Sequence, residues 1–228
     1  MFLLLLPFFA SATVYNETFA EDVSYFAALS YCTLEVIKDW NCGAPCERHP
    51  NFEVYDAWNI TVSGSLSNVV VGINHDTDDI IVSLEGTKDV TELLHELTDF
   101  NLIPYTPHVL PNATVDDFFL NAYVAAQDRI ISTITTVKEI QNKVSQPVIV
   151  TGHSLGGSIA ALVAIDLVLS GVVSSEELQL ITYGEPRTGN PDFAKYMDKY
   201  VPNSWRLVHS GDIVPHVPLS DMIYLEFE

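Results

Sequence analysis

The residues best placed to do chemistry are 148–157, VIVTGHSLGG. A β-branched run ends at Thr151, a G-x-S-x-G follows over 152–156, and the small-residue stretch SIAALVAIDLVL comes next. This order predicts a strand, a sharp turn with Ser154 at its apex, and an amphipathic helix. Gly152 and Gly156 lack a Cβ, so strand and helix can approach closely enough to hold the serine on a strained turn with Oγ presented. The start of the helix leaves backbone N–H groups unpaired and aimed at an oxyanion. The chemistry implied is nucleophilic attack on an acyl carbon by Ser154.

Acyl transfer also needs an oxyanion hole, a base and a carboxylate that orients the base. One oxyanion donor in a strand–turn–helix site is the N–H of the residue after the nucleophile, here Leu155. The second comes from a loop after an earlier strand, and Gly86-Thr87, directly after IIVSL at 80–84, stands in that place. Asp212, in the Ser210-Gly211-Asp212 loop after the run Trp205–His209, is the candidate acid. Asp192 and Asp198 fall in a short helix and read as solvent-facing.

No histidine stands where the base is required. The order for this architecture is serine, acid, histidine, and the one histidine after Asp212 is His216, four residues on in the same proline-bounded loop. His209 precedes the acid, and His153 belongs to the elbow. His95 lies in a short apolar-periodic segment, and His49, His75 and His108 lie in loops.

The elements that must position these groups follow from periodicity. Helices are predicted over Phe19–Ile37, Val115–Lys143, Leu155–Leu169 and Pro191–Tyr200. Strands are predicted over Phe52–Trp58, Val69–Asn74, Ile80–Leu84, Val148–Thr151, Leu178–Tyr183 and Trp205–His209. The first three strands read as antiparallel hairpins. Strand–helix alternation from Ile80 onward implies a mostly parallel sheet flanked by helices, an α/β class protein. Asp76, Asp78 and Asp79 read as a solvated hairpin turn, not a calcium loop.

With 228 residues and 48% apolar content the chain can build one sizeable core. Thirty acidic against ten basic residues give a net charge of −20, which argues against nucleic acid and anionic membrane surfaces and suits a neutral substrate. MFLLLLPFFASA at 1–12 ends in an A-x-A pattern and is too short to span a bilayer, so it reads as a secretory signal peptide, leaving 13–228 as one domain. Sequons at Asn16, Asn59 and Asn112 agree with a secreted glycoprotein. Of the three cysteines, Cys42 and Cys46 can close a tight local disulfide, and Cys32 is left over. No metal site is expected, because a fourth nitrogen or sulfur ligand is not evident.

Taken together, these segments resemble the class 3, or fungal-type, lipase family of α/β-hydrolases. YCTLEVIKDWNCGAPC, IIVSLEGT, GHSLGG, YGEPRTGN and RLVHSGDIVPHVP all look like family motifs, and Tyr224 falls where the family tends to have a tyrosine, so the resemblance covers roughly 25–224. It implies the α/β-hydrolase fold and Ser154 as nucleophile. It implies Asp212 as triad acid and Thr87 with Leu155 as oxyanion donors. The activity implied is cofactor-free hydrolysis of carboxylic esters through an acyl-enzyme, as in a triacylglycerol lipase. It further implies that the segment with Val90, Leu93, Leu94 and Leu97 is a lid that swings away at a lipid surface. Two departures stand out. Leu84-Glu85 replaces the usual Phe-Arg, removing the cation of an inner ion pair, and Leu93 stands where many members have a lid tryptophan. In related lipases the counterpart of Cys32 bonds to a cysteine near the C-terminus. A C-terminal segment missing from the chain as given would account for both the absent triad histidine and that absent cysteine. The alternatives are a feruloyl-type esterase on the same fold and a non-catalytic lipid-binding pseudoenzyme.

Overall fold

The computed structural model describes residues 14–62, 65–88 and 100–218. The expected signal peptide, the segment with Val90, Leu93, Leu94 and Leu97, and Tyr224 lie outside the described residues.

A six-stranded sheet runs in the order β1-β2-β3-β6-β7-β8. Its strands are β1 (Phe52–Val62), β2 (Ser65–Asn74), β3 (Asp79–Leu84), β6 (Val148–His153), β7 (Leu178–Tyr183) and β8 (Ser204–Leu207). The first three pair antiparallel, and β3, β6, β7 and β8 run parallel. Both expectations, hairpins first and a parallel sheet after Ile80, describe this topology. A separate two-stranded piece joins β4 (Leu102–Pro104) to β5 (Thr114–Asp116).

Alternation along the parallel strands sends side chains to two different layers. Ile80, Val82 and Leu84, with Val148, Val150, Leu178 and Leu180, face a core shared with three helices. These are α4 (Asp117–Ile140), α5 (Leu155–Leu169) and α6 (Pro191–Tyr200). Their neighbours Ile81, Ile149 and Ile181 face the other way, against Ala20, Val23, Phe26 and Leu29 of α1 (Glu17–Leu29). The strand β6 that leads to Ser154 is therefore clamped between two hydrophobic layers.

Helix α5 matches its expected bounds but is not amphipathic: every residue from Leu155 to Leu167 is buried. It packs against α4, α6 and the strands β3, β6 and β7 at once, so no face is left for solvent. A single helix over Phe19–Ile37 is also not observed. The chain leaves the helix at Ser30 and re-enters a short α2 (Leu34–Lys38). The Asn68 amide takes the carbonyls of Ser30 and Cys32 at 2.7 and 2.8 Å, acceptors that a continuous helix would have used itself. The hairpin strands run further than expected, because the in–out alternation continues past Trp58 to buried Ile60. The last strand stops at Leu207, whose carbonyl takes the final ladder bond from Gly184 N–H.

The long helix starts two residues later than Val115, because Asp116 caps it. The Asp116 carboxylate accepts from Phe118 and Phe119 N–H, and from Asn101 N–H on the neighbouring segment. Burial and the neighbouring Asp117 nevertheless push this carboxyl up to about 6, against the pull of those three N–H groups. A carboxyl whose folded pKa lies above its ordinary 3.8 binds its proton more tightly when folded. Its contribution is fully present below about pH 4 and is lost as pH rises through 6, on the order of 2–3 kcal/mol in all. Urea unfolding of the wild type and Asp116→Asn between pH 4 and 7.5 measures it. The difference in stability should shift in favour of Asp116→Asn as pH rises, and a constant difference would refute the assignment.

Cys42 and Cys46 form the expected disulfide beside a third short helix, α3 (Ala44–Arg48), and Cys32 is a free thiol. All three sequon asparagines are exposed. Asn16 caps α1 by accepting from Phe19 N–H, while Asn59 Nδ2 donates to Asn68 Oδ1. No described helix is long and apolar enough to cross a membrane. No described cluster of His, Cys, Asp or Glu is arranged to hold a metal ion.

Candidate active site

Ser154 sits between β6 and α5 at φ 56°, ψ −129°, a conformation a non-glycine residue holds only when its surroundings impose it. The surroundings here are backbone. A Cβ on Gly152 would stand 2.2 Å from Gly156 O, and one on Gly156 would stand 2.2 Å from Leu84 O. Helix α5 is thus pressed onto both the end of its own strand and the end of β3, and the turn between them has no other path. The Ser154 N–H is spent on Tyr183 O at 2.9 Å, which ties the elbow to β7. Its hydroxyl is buried, at 3% residue exposure, and has no hydrogen-bond partner among the described residues. Tyr105, Thr114 and Ser158 also carry buried hydroxyls without a partner, so what marks Ser154 is the orphan hydroxyl together with its strained backbone.

The loop after β3 lies directly against this serine. A Cβ on Gly86 would meet His153 O at 2.4 Å, Tyr31 Oη at 2.5 Å and Ser154 Cβ at 3.2 Å. Only glycine fits there, and its presence brings the Gly86-Thr87 backbone alongside the elbow. Leu155 is the first residue of α5, so its N–H has no acceptor within the helix. Gly86 and Ser154, about 70 residues apart in the chain, are thus neighbours in the fold.

Tyr31 was not singled out from the sequence as a site residue. Its hydroxyl lies against Gly86, where an added Cβ would stand 2.5 Å from it, and is 2.7 Å from His153 Nδ1. Burial holds its proton on well beyond the ordinary tyrosine range. The one available signal is its position at the end of a buried helix, next to Cys32.

Asp212 lies beyond β8, on a turn closed by its own N–H to His209 O and by Val214 N–H to its Oδ1. Arg206 holds that loop down by donating to Pro215 O and Glu185 O. Gly184, at φ 57°, is the meeting point. A Cβ there would stand 3.1 Å from Asp212 Oδ2 and 3.5 Å from His153 Nε2. The acid is therefore brought to the serine's immediate neighbour. Packing around the His153 ring lowers its pKa, and the Asp212 charge opposes that in part.

None of the described histidines bonds Ser154 Oγ. His209 and His216 are exposed, and His216 ends a short 3-10 turn over Val214–His216. His49 stacks on Phe26 at 3.9 Å, and His108 pairs with Asp166 at 2.6 Å. A cavity of about 500 Å³ between α6, β7 and β8 is lined by Phe193, Met197 and Trp205, and Ser154 is not part of its wall.

The Glu85 that stands in place of the usual arginine has an ion-pair partner of its own in Lys88. Glu85 is fully buried, and its Oε1 lies 2.8 Å from Lys88 Nζ.

Comparison with known proteins agrees with this arrangement. The class 3 lipase family profile matches residues 81–222. A Rhizomucor miehei lipase is 31% identical over 202 residues, covering 86% of this chain and 53% of that protein. A secreted mono- and diacylglycerol lipase of Gibberella zeae is 28% identical over 258 residues, covering 96% and 60% respectively. The chain thus spans little more than half the length of these curated relatives. Among solved structures, a triacylglycerol lipase whose catalytic centre is a serine protease triad superposes with a TM-score of 0.76 at 28% identity. That match covers 90% of this chain and 75% of the other. With the elbow, the mixed sheet and the profile all in agreement, the chain belongs to the class 3 lipase family and has the α/β-hydrolase fold.

Proposed function

We propose that this protein is a secreted serine hydrolase of carboxylic esters, with acylglycerols as its substrate class. The observation that carries the reading is the buried, unpartnered Ser154 hydroxyl on a strained elbow, with Gly86 packed against its Cβ. Oγ attacks the acyl carbonyl, the alcohol leaves, and water then releases the acyl group from the serine. The oxyanion is met by the N–H groups of Leu155 and Thr87. Asp212 is the triad acid, the carboxylate that would orient the base; no described histidine reaches Ser154 Oγ, so the group that takes its proton is not assigned to a residue. Residues 90–97 act as a lid through the apolar stripe Val90, Leu93, Leu94 and Leu97, and Asn16, Asn59 and Asn112 carry glycans. Acylglycerols are preferred to feruloyl esters because that stripe suits a lipid surface. The related secreted acylglycerol lipase and the leader-like segment at 1–12 support export.

The test is covalent labelling of the full chain by a fluorophosphonate, with tributyrin and ethyl ferulate hydrolysis measured in parallel. Wild type is expected to label stoichiometrically and Ser154→Ala not at all. Tributyrin hydrolysis in Ser154→Ala is expected to fall by at least about 10³-fold. A second reading, a lipid-binding pseudoenzyme, is favoured by one fact: no described imidazole reaches Ser154 Oγ. Binding of acylglycerol vesicles without labelling or turnover would establish it and overturn the hydrolase. Faster turnover of ethyl ferulate would overturn the acylglycerol preference.

A further inference from the structure

We propose that Glu85 and Lys88 are positioning residues that clamp the Gly86-Thr87 oxyanion turn; this rests on the hydrolase reading above. The pair brackets the two residues at i and i+3, with a buried carboxylate on one side and a solvent-reaching ammonium on the other.

Glu85 is anchored three times to β2. Its N–H donates to Asn68 O at 2.9 Å, its carbonyl accepts from Ser67 Oγ at 2.8 Å, and its Oε2 accepts from Asn68 N–H at 2.8 Å. Asn68 is itself fixed, since its amide also bonds Ser30 O and Cys32 O at the end of α1. The incoming end of the turn is therefore rigid. Gly86 is held from the opposite side by Tyr31 and the elbow. Lys88 meets the outgoing end as an ion pair, its Nζ 2.8 Å from Glu85 Oε1, which has no hydrogen-bond partner among the described residues.

Exposure decides how much such a pair can do. Ion pairs between two exposed groups contribute little, because water screens them. Here the lysine side chain is 57% exposed but the glutamate side chain is 0% exposed. Removing the ammonium leaves a buried carboxylate with one backbone N–H on Oε2 and nothing on Oε1. That uncompensated charge is what makes breaking a buried pair costly. Burial already pushes the Glu85 carboxyl up, and Lys88 with the Asn68 N–H pulls it back. Without Lys88 the carboxylate must take a proton or turn outward, and turning outward gives up its Oε2 bond to Asn68 N–H, one of the three anchors of the residue that leads into Gly86.

The consequence falls on the transition state, not on binding. Losing a whole oxyanion donor costs about 10²–10³ in kcat, so a displaced one should cost about tenfold. The experiment compares the full chain with Lys88→Met, Lys88→Arg and the double variant Glu85→Gln/Lys88→Met. Two readouts are used: amide hydrogen exchange of the peptide covering 84–88, and the second-order rate of Ser154 phosphonylation. Lys88→Met is expected to exchange at least about fivefold faster at 84–88, with the β6 peptide unchanged, and to phosphonylate about tenfold more slowly. Lys88→Arg should restore both. The double variant should lie nearer wild type than Lys88→Met alone, because no buried charge is left unpaired. Unchanged exchange and labelling in Lys88→Met would overturn the clamp. Wild type that fails to label would overturn the hydrolase reading instead, and hydrogen exchange, which needs no activity, still decides the clamp.

Discussion

Gly156→Ala is expected to destabilise the protein by at least about 3 kcal/mol, and to lower its melting temperature by about 10 °C or prevent folding. The added methyl would stand 2.2 Å from Leu84 O, 2.8 Å from Glu85 C and 2.9 Å from Leu84 C. All three are backbone atoms at the end of a central strand, so no rotamer change makes room. The strand would have to move, or α5 would have to slide, and α5 is buried on every side. Gly171 is the control. At φ 73° it also favours glycine, but a Cβ there meets nothing within 4 Å. Gly171→Ala should cost only about 1 kcal/mol, from backbone strain alone. Thermal unfolding followed by circular dichroism separates the two. Equal losses would mean that backbone strain, not close approach, governs both glycines.

Asp166→Ala should be nearly as damaging, although it lies far along α5 from Ser154. Asp166 is 1% exposed, in a helix that is otherwise apolar apart from Ser158. Its carboxylate accepts from Tyr123 Oη and from Gln127 Nε2 at 3.2 Å, and meets His108 Nε2 at 2.6 Å. These partners come from α4 and from the loop between β4 and β5, so one carboxylate joins three elements. Alanine would leave a buried hydroxyl and a half-buried amide without an acceptor, a loss of about 3–5 kcal/mol. Tyr123→Phe in the same background removes one of the stranded donors. Urea unfolding of the two single variants and the double variant should therefore give less than the sum of the single losses, by about 1 kcal/mol or more. Strict additivity would show that the hydroxyl and the carboxylate do not depend on each other.

These two positions also mark the boundary of what the sequence discloses. The bounds of α5 could be read directly because the elbow announces itself within ten residues: a β-branched run, two glycines, then small apolar residues. Its lack of an exposed face could not be read, since burial on all sides depends on α4 and α6 arriving from elsewhere. The break at Ser30 was hidden for the same reason. Nothing in the local periodicity says that Asn68 will claim the carbonyls of Ser30 and Cys32. The Glu85–Lys88 pair was not read from the sequence, where Glu85 stood only as a departure from the usual Phe-Arg. Its meaning depends on the burial of one partner, which β2 and α1 decide.

The sequence by itself determined the nucleophile elbow, the strand–helix alternation and the family, because each is written in short-range spacing that backbone geometry converts directly into local structure. Gly86 and Asp212 were legible as candidates from their places after strand runs. Only the tertiary structure brought Tyr31 and Gly184 to the His153–Ser154 elbow, because their meeting is set by the order of strands in the sheet and by backbone contacts that only glycine permits.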